Sequence, residues 1–176
     1  KKLSAPEILS YNVGPMTAKN LIAGGALLID VRSASEFAEG HIEGAINIEY
    51  TKIAEQIASV ASSKNTPIIL YCSAAKRSTQ ALRTLVRLGY TRVYNLGSMS
   101  NYYTEPTVAF SQDTCTVLTE NDLVDVVFIA SPYDSPKVYI SAGVDSTFAD
   151  AVPLESFKVP AVYDYYYTIK AYLVQD

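Results

Sequence analysis

Apolar positions follow two different rhythms along this chain. Up to about residue 103, short unbroken apolar runs alternate with stretches of helical spacing. Beyond that point, alternation at every second residue takes over. In the first part, Ala26-Leu27-Leu28-Ile29-Asp30, Ala45-Ile46-Asn47-Ile48, Ile68-Ile69-Leu70-Tyr71 and Val93-Tyr94-Asn95-Leu96 read as strands. Runs of this kind suit strands covered on both faces, as in a parallel sheet. Helices are predicted between them. One covers 16–23, with Thr17 as its cap and Gly24-Gly25 as its stop. Another covers 33–39 and closes at Gly40. A third covers 53–60, with Ile53, Ile57 and Val60 at helical spacing. The last runs from Ser78 through Ala81, Leu82, Leu85, Val86 and Leu88 to Gly89. Gly97 is expected to break the fourth strand. Strands alternating with helices imply an α/β layer fold with a mostly parallel central sheet flanked by helices.

In the second part, residues 115–118, 123–130 and 138–141 are β-like runs separated by turn material. Residues 161–173 alternate strictly. Ala161, Tyr163, Tyr165, Tyr167, Ile169, Ala171 and Leu173 share one face, and Asp164, Thr168 and Lys170 wet the other. This predicts an α/β unit over 1–103, followed by a small all-β, sandwich-like module over 104–176.

Charge sharpens that division. Residues 1–103 carry eleven Lys/Arg and seven Asp/Glu, whereas residues 104–176 carry three and eleven, so a net charge of −4 divides into +4 and −8. The basic excess is small and scattered, which argues against nucleic-acid binding. The acidic module is a candidate docking surface for a protein partner. Apolar residues make up 49% of the chain, enough for a packed core. No apolar run approaches the ~20 residues of a membrane span. The chain opens Lys1-Lys2 without Met, which fits removal of an N-terminal segment. Few lysines and a Tyr-, Ser- and Thr-rich tail lean toward export.

Cysteine usage limits the chemistry. Cys72, Cys115 and the single His41 fall short of a four-ligand zinc framework, so no metal site is expected. A Cys72–Cys115 disulfide would silence Cys72, and free thiols are the expectation. The loop Cys72-Ser73-Ala74-Ala75-Lys76-Arg77-Ser78 lies between a strand and a helix. A turn there points successive N–H groups inward as an anion-binding nest. The helix N-terminus adds positive potential, and Lys76 and Arg77 add formal charge. All three favour a thiolate, the nucleophilic form of cysteine.

This loop resembles the active-site loop of rhodanese domains: Cys, two residues, Gly, one residue, Arg, then Ser or Ala. Leu28-Ile29-Asp30-Val31-Arg32, Glu36-Phe37, Gly40-His41-Ile42 and 44–48 are similar to the family's signature around its first core strand. Leu96-Gly97-Ser98-Met99-Ser100-Asn101-Tyr102 is similar to its closing segment. The match spans roughly 16–103. Sulfurtransferases of the family carry four residues between Cys and Arg, and related phosphatases carry five. Ser73, Ala74, Ala75 and Lys76 make four here. The resemblance therefore implies a sulfurtransferase with a persulfide on Cys72, taking sulfur from a small anionic donor such as thiosulfate and passing it to a thiol or cyanide. It implies no cofactor. The loop backbone from Ser73 to Ser78 would bind the anionic sulfur. Ala75 stands where the family usually has Gly, and Ala costs about 1 kcal/mol or more if φ is positive there.

Other candidates carry competing readings. Two roles are open to Asp30 and Arg32: support of the loop, or an ion pair with Glu36 or a neighbour. The resemblance implies a structural His41, bonding the segment between helix and strand. The tyrosines of 163–167 read as sheet packing rather than a stacking platform. Cys115 reads as a packing residue. A second functional reading is a non-catalytic sulfur carrier or scaffold that docks a partner.

Overall fold

The computed structural model describes residues 4–105, 107–110, 126–134, 137–143, 152–153 and 168–174. The chain divides into two compact units, Lys1–Thr104 and Glu105–Asp176. In the first unit the element order is α1 (Ala5–Leu9), α2 (Pro15–Ala23), β1 (Leu27–Asp30), α3 (Ala34–Glu39), β2 (Ile46–Asn47), α4 (Ile53–Val60), β3 (Ile68–Cys72), α5 (Lys76–Arg87), β4 (Val93–Ser98) and α6 (Met99–Tyr102). The four strands form one parallel sheet in the order β2-β1-β3-β4. This is the α/β architecture expected from the apolar runs.

The central strand β3 is buried along its whole length. Its side chains alternate between two cores, as a pleated strand requires. Ile68, Leu70 and Cys72 pack with Ile29 and Val31 of the β1 segment, Ile53 and Ile57 of α4, and Ala81, Leu82 and Leu85 of α5. Ile69 and Tyr71 pack on the other side with Ala18, Leu28, Ile42 and Leu96. Burial of a Leu or Ile side chain contributes about 1.5–3 kcal/mol, so the first of these cores holds α5 firmly behind the loop that precedes it. Ser78, Ala81, Leu82 and Leu85 form the buried stripe of α5. The helix ends in a glycine C-cap motif: Gly89 at φ 89° donates to the Val86 carbonyl, and Tyr90 N–H to the Leu85 carbonyl.

Three local expectations change. The helix predicted over 16–23 starts one residue earlier, because Pro15 occupies its first turn after Gly14; Thr17 lies inside the helix and does not cap it. Gly97 does not end β4. It lies within the strand at φ 81°, where the register with β3 slips between Leu70 and Tyr71. The helix after Cys72 begins at Lys76 rather than Ser78, and α1 and α6 join the predicted elements.

In the second unit, β5 (Thr107–Phe110) pairs antiparallel with β6 (Val126–Ile129). A three-stranded antiparallel sheet has the order β8 (Val152–Pro153), β7 (Lys137–Gly143), β9 (Thr168–Val174). β6 and β7 fall within or across the runs predicted over 123–130 and 138–141, and β9 overlaps the alternating segment. The run over 115–118, Cys115 and the tyrosines of 163–167 lie outside the described residues, as do the parts on which a sandwich arrangement would rest.

Candidate active site

Cys72 is the last residue of β3, with its side chain directed to the α4/α5 side by strand parity. It is a free thiol and only 1% exposed. Its sulfur meets the Ser78 hydroxyl at 3.7 Å. Ser78, fully buried on α5, donates in turn to the Ala75 carbonyl at 3.0 Å. Cys72 lines a pocket of about 410 Å³ together with Tyr50, Ser73, Ala74, Lys76, Arg77 and Gln80.

The loop above the sulfur turns sharply at Ala75, which adopts φ 63° and ψ −15°. Among the described residues it is the one non-glycine with positive φ. The sequence departure from Gly thus falls where a left-handed conformation is required. Space for the Ala75 methyl comes from Gly97, where a Cβ would stand 3.3 Å from that of Ala75. The turn also decides where the N–H groups go. Lys76 N–H donates back to the Ala74 carbonyl at 2.8 Å, and Thr79 N–H to the Ala75 carbonyl at 3.0 Å. The N–H groups of Ala74, Ala75, Arg77 and Ser78 have no acceptor within the described protein. Ala75, the N-cap, supplies no side-chain cap to α5, so the first-turn donors of a twelve-residue helix stay available to an anion.

Arg77 is less free than its loop position suggests. Its two terminal nitrogens donate to both oxygens of Glu36 at 2.6 and 2.7 Å, and one donates to the Ser73 hydroxyl at 2.9 Å. Glu36 also accepts from the Ser33 N–H and hydroxyl at 3.1 and 2.9 Å, closing a capping box at the start of α3. Arg77 first, then Ser33, hold the Glu36 carboxyl down at about 2. The pairing with Glu36 raises the Arg77 pKa above its usual value despite partial burial, and the neighbouring Cys72 adds smaller contributions in the same sense.

Asp30 and Arg32 sit elsewhere. They bond each other in a buried bidentate pair, and Arg32 also donates to the Gly40 carbonyl at 2.6 Å. Asp30 is the main cause that raises the Arg32 pKa. Nearby, the Tyr71 hydroxyl accepts from the Ile42 N–H at 3.1 Å, and its pKa is pushed up chiefly by burial. Of the two open roles, the geometry places this pair in a structural network, with no bond from either side chain to the Cys72 loop among the described contacts. The Arg32 partner is Asp30 rather than Glu36. His41 bonds the Phe37 carbonyl at 2.9 Å and stacks on the Phe37 ring, bracing the end of α3.

Sequence reasoning missed Glu36, Tyr50 and Gln80 as parts of the site. Gln80 carried a usable signal, because it follows Lys76 by one helical turn and so shares its face. The meeting of Glu36 with Arg77, far apart in sequence, carried none.

Comparisons with known proteins bear on the family of the chain. The family model for the rhodanese-like domain matches residues 15–105. The chain is 38% identical over 73 residues to thiosulfate sulfurtransferase PspE of Escherichia coli (strain K12), covering 42% of this chain and 70% of that protein. It is 31% identical over 84 residues to thiosulfate sulfurtransferase GlpE of Pseudomonas aeruginosa (strain LESB58), covering 48% of this chain and 74% of that one. A solved structure described as a rhodanese with anions from E. coli aligns with TM-score 0.43 and 36% identity, covering 44% of this chain and 91% of that one. The family match takes in β1, β3, the Cys72 loop and β4 together, so the parallel sheet and the loop it carries identify the chain as a member of the rhodanese-like domain family.

Proposed function

We propose that this protein is a sulfurtransferase that carries sulfane sulfur as a persulfide on Cys72. The observation that carries the reading is Cys72 in the lining of a pocket whose loop leaves four N–H groups without acceptors. In the first step the Cys72 thiolate attacks the outer sulfur of an anionic donor such as thiosulfate. A new S–S bond forms, the donor S–S bond breaks, and sulfite leaves with the electron pair. In the second step cyanide or a thiolate attacks the outer sulfur, the Cys72 thiolate departs, and thiocyanate or a new persulfide is released. The free N–H groups of Ala74, Ala75, Arg77 and Ser78 would hold the anionic outer sulfur between the steps, aided by the α5 N-terminus. Lys76 and Arg77 would attract and orient the donor. No metal or organic cofactor enters either step. The four-residue spacing between Cys72 and Arg77 and the names of the relatives support sulfur rather than phosphate as cargo.

Incubation with thiosulfate and cyanide tests this directly. Wild type should release thiocyanate, and Cys72→Ser should release none above background. Equal rates from the two would remove the enzyme reading. The intact mass after thiosulfate treatment should show one added sulfur atom on wild type alone. Added sulfur without turnover would instead support the sulfur-carrier reading.

A further inference from the structure

We propose that Glu36 is a positioning residue that cancels the charge of Arg77 and so tunes the Cys72 pocket to singly charged sulfur donors over doubly charged ones. This inference rests on the sulfurtransferase reading and narrows its substrate class. Two charged side chains line the pocket, Lys76 and Arg77. Arg77 spends three of a guanidinium's five N–H donors inside the protein, two on Glu36 and one on Ser73. Two donors remain for a ligand, and the paired carboxylate offsets the positive charge they would present. Lys76 is exposed and forms no ion pair among the described residues. The side chains therefore offer about one net positive charge, supplemented by the partial charge of the helix end.

The compensation is permanent at neutral pH, because Glu36 is held ionised far below it. Its carboxylate is also fixed in place. The Ser33 capping box anchors it from the α3 side, so it cannot swing away when an anion arrives without breaking four hydrogen bonds. A donor with two negative charges thus meets an Arg77 already claimed by a carboxylate. A donor with one negative charge is matched by Lys76 and the loop N–H groups.

Thiosulfate and methanethiosulfonate form a suitable pair of probes, since a methyl group replaces one charged oxygen and removes one negative charge. Sulfite leaves from the first and methanesulfinate from the second, with the same persulfide formed on Cys72. Cyanide-coupled kinetics of wild type, Glu36→Gln and Glu36→Asp on both donors test the proposal. Removing the carboxylate charge should lower KM for both anions in Glu36→Gln. The fall should be roughly fourfold greater for thiosulfate, the expectation for one unit charge at several Å in a solvent-rich site. Glu36→Asp keeps the charge and should keep the wild-type KM ratio. An unchanged ratio in Glu36→Gln, or a raised thiosulfate KM, overturns the proposal while leaving the enzyme reading intact. Wild-type inactivity on both donors overturns both. Should Glu36→Gln fail to fold, judged by its thermal melt, wild type still decides: a KM several-fold lower for thiosulfate than for methanethiosulfonate sinks the idea.

Discussion

Two carboxylate–guanidinium pairs, whose carboxylates Asp30 and Glu36 are close in sequence, do different work. Asp30–Arg32 is nearly sealed, with side-chain exposures of 0% and 8%, and it closes on itself at the end of β1. Glu36–Arg77 is about a third exposed on each side, and it joins the start of α3 to the first turn of α5. The buried pair cannot exchange partners without stranding a charge away from water. The exposed pair keeps one side in water, and one of its members lines the pocket beside Cys72. Burial here separates a pair that closes on itself from one whose arginine faces a pocket.

Breaking each pair in turn should expose that division. Arg32→Met strands Asp30 in the core and should cost about 3–5 kcal/mol in denaturant unfolding; a loss below 1 kcal/mol would mean the backbone N–H of residue 32 and solvent satisfy Asp30 unaided. The loop between the two pairs offers an intermediate case. Ala75→Gly relieves the left-handed strain at φ 63° and should stabilise the protein by about 1 kcal/mol in urea unfolding. A loss instead would show that the methyl packed over Gly97 outweighs the strain. Glu36→Gln should be the mildest at neutral pH, at or below about 1 kcal/mol, with its effect appearing in KM instead. Acid sharpens this last case. A carboxyl held at about 2 when folded stabilises the protein fully above its unfolded value of 4.5. That contribution fades as pH falls from there through about 2. The stability gap between wild type and Glu36→Gln should therefore narrow across this window, as followed by unfolding at successive pH values. A gap that widens toward acid would assign the pair the wrong sign.

The chain announces its frame well and its wiring poorly. Ile68 to Tyr71, Leu27 to Asp30 and the stripe through Leu82 and Leu85 declare buried elements, because burial on two faces leaves no polar position to interrupt them. The position of Cys72 between strand and helix follows from that frame. Arg77 looks like a free anion ligand only until Glu36 is known to reach it, and no local rule encodes a pair that depends on the packing of α3 against the loop. Thr17 resembles a cap by residue type, but Pro15 outranks it through its fixed φ and missing N–H. Gly97 reads as a strand breaker when only propensity is weighed. Within the sheet it is the position that gives way to Ala75.

The alternation along β3 carries one more consequence. Cys72 has the same parity as Ile68 and Leu70, and Tyr71 and Ile69 have the other. The side of the sheet on which the thiol emerges is therefore a matter of odd and even counting. Insertion or deletion of a single residue within β3 would carry the sulfur from the α5 side to the α2 side, with every residue of the loop still present. The length of this strand is as much a part of the candidate site's design as the cysteine at its end.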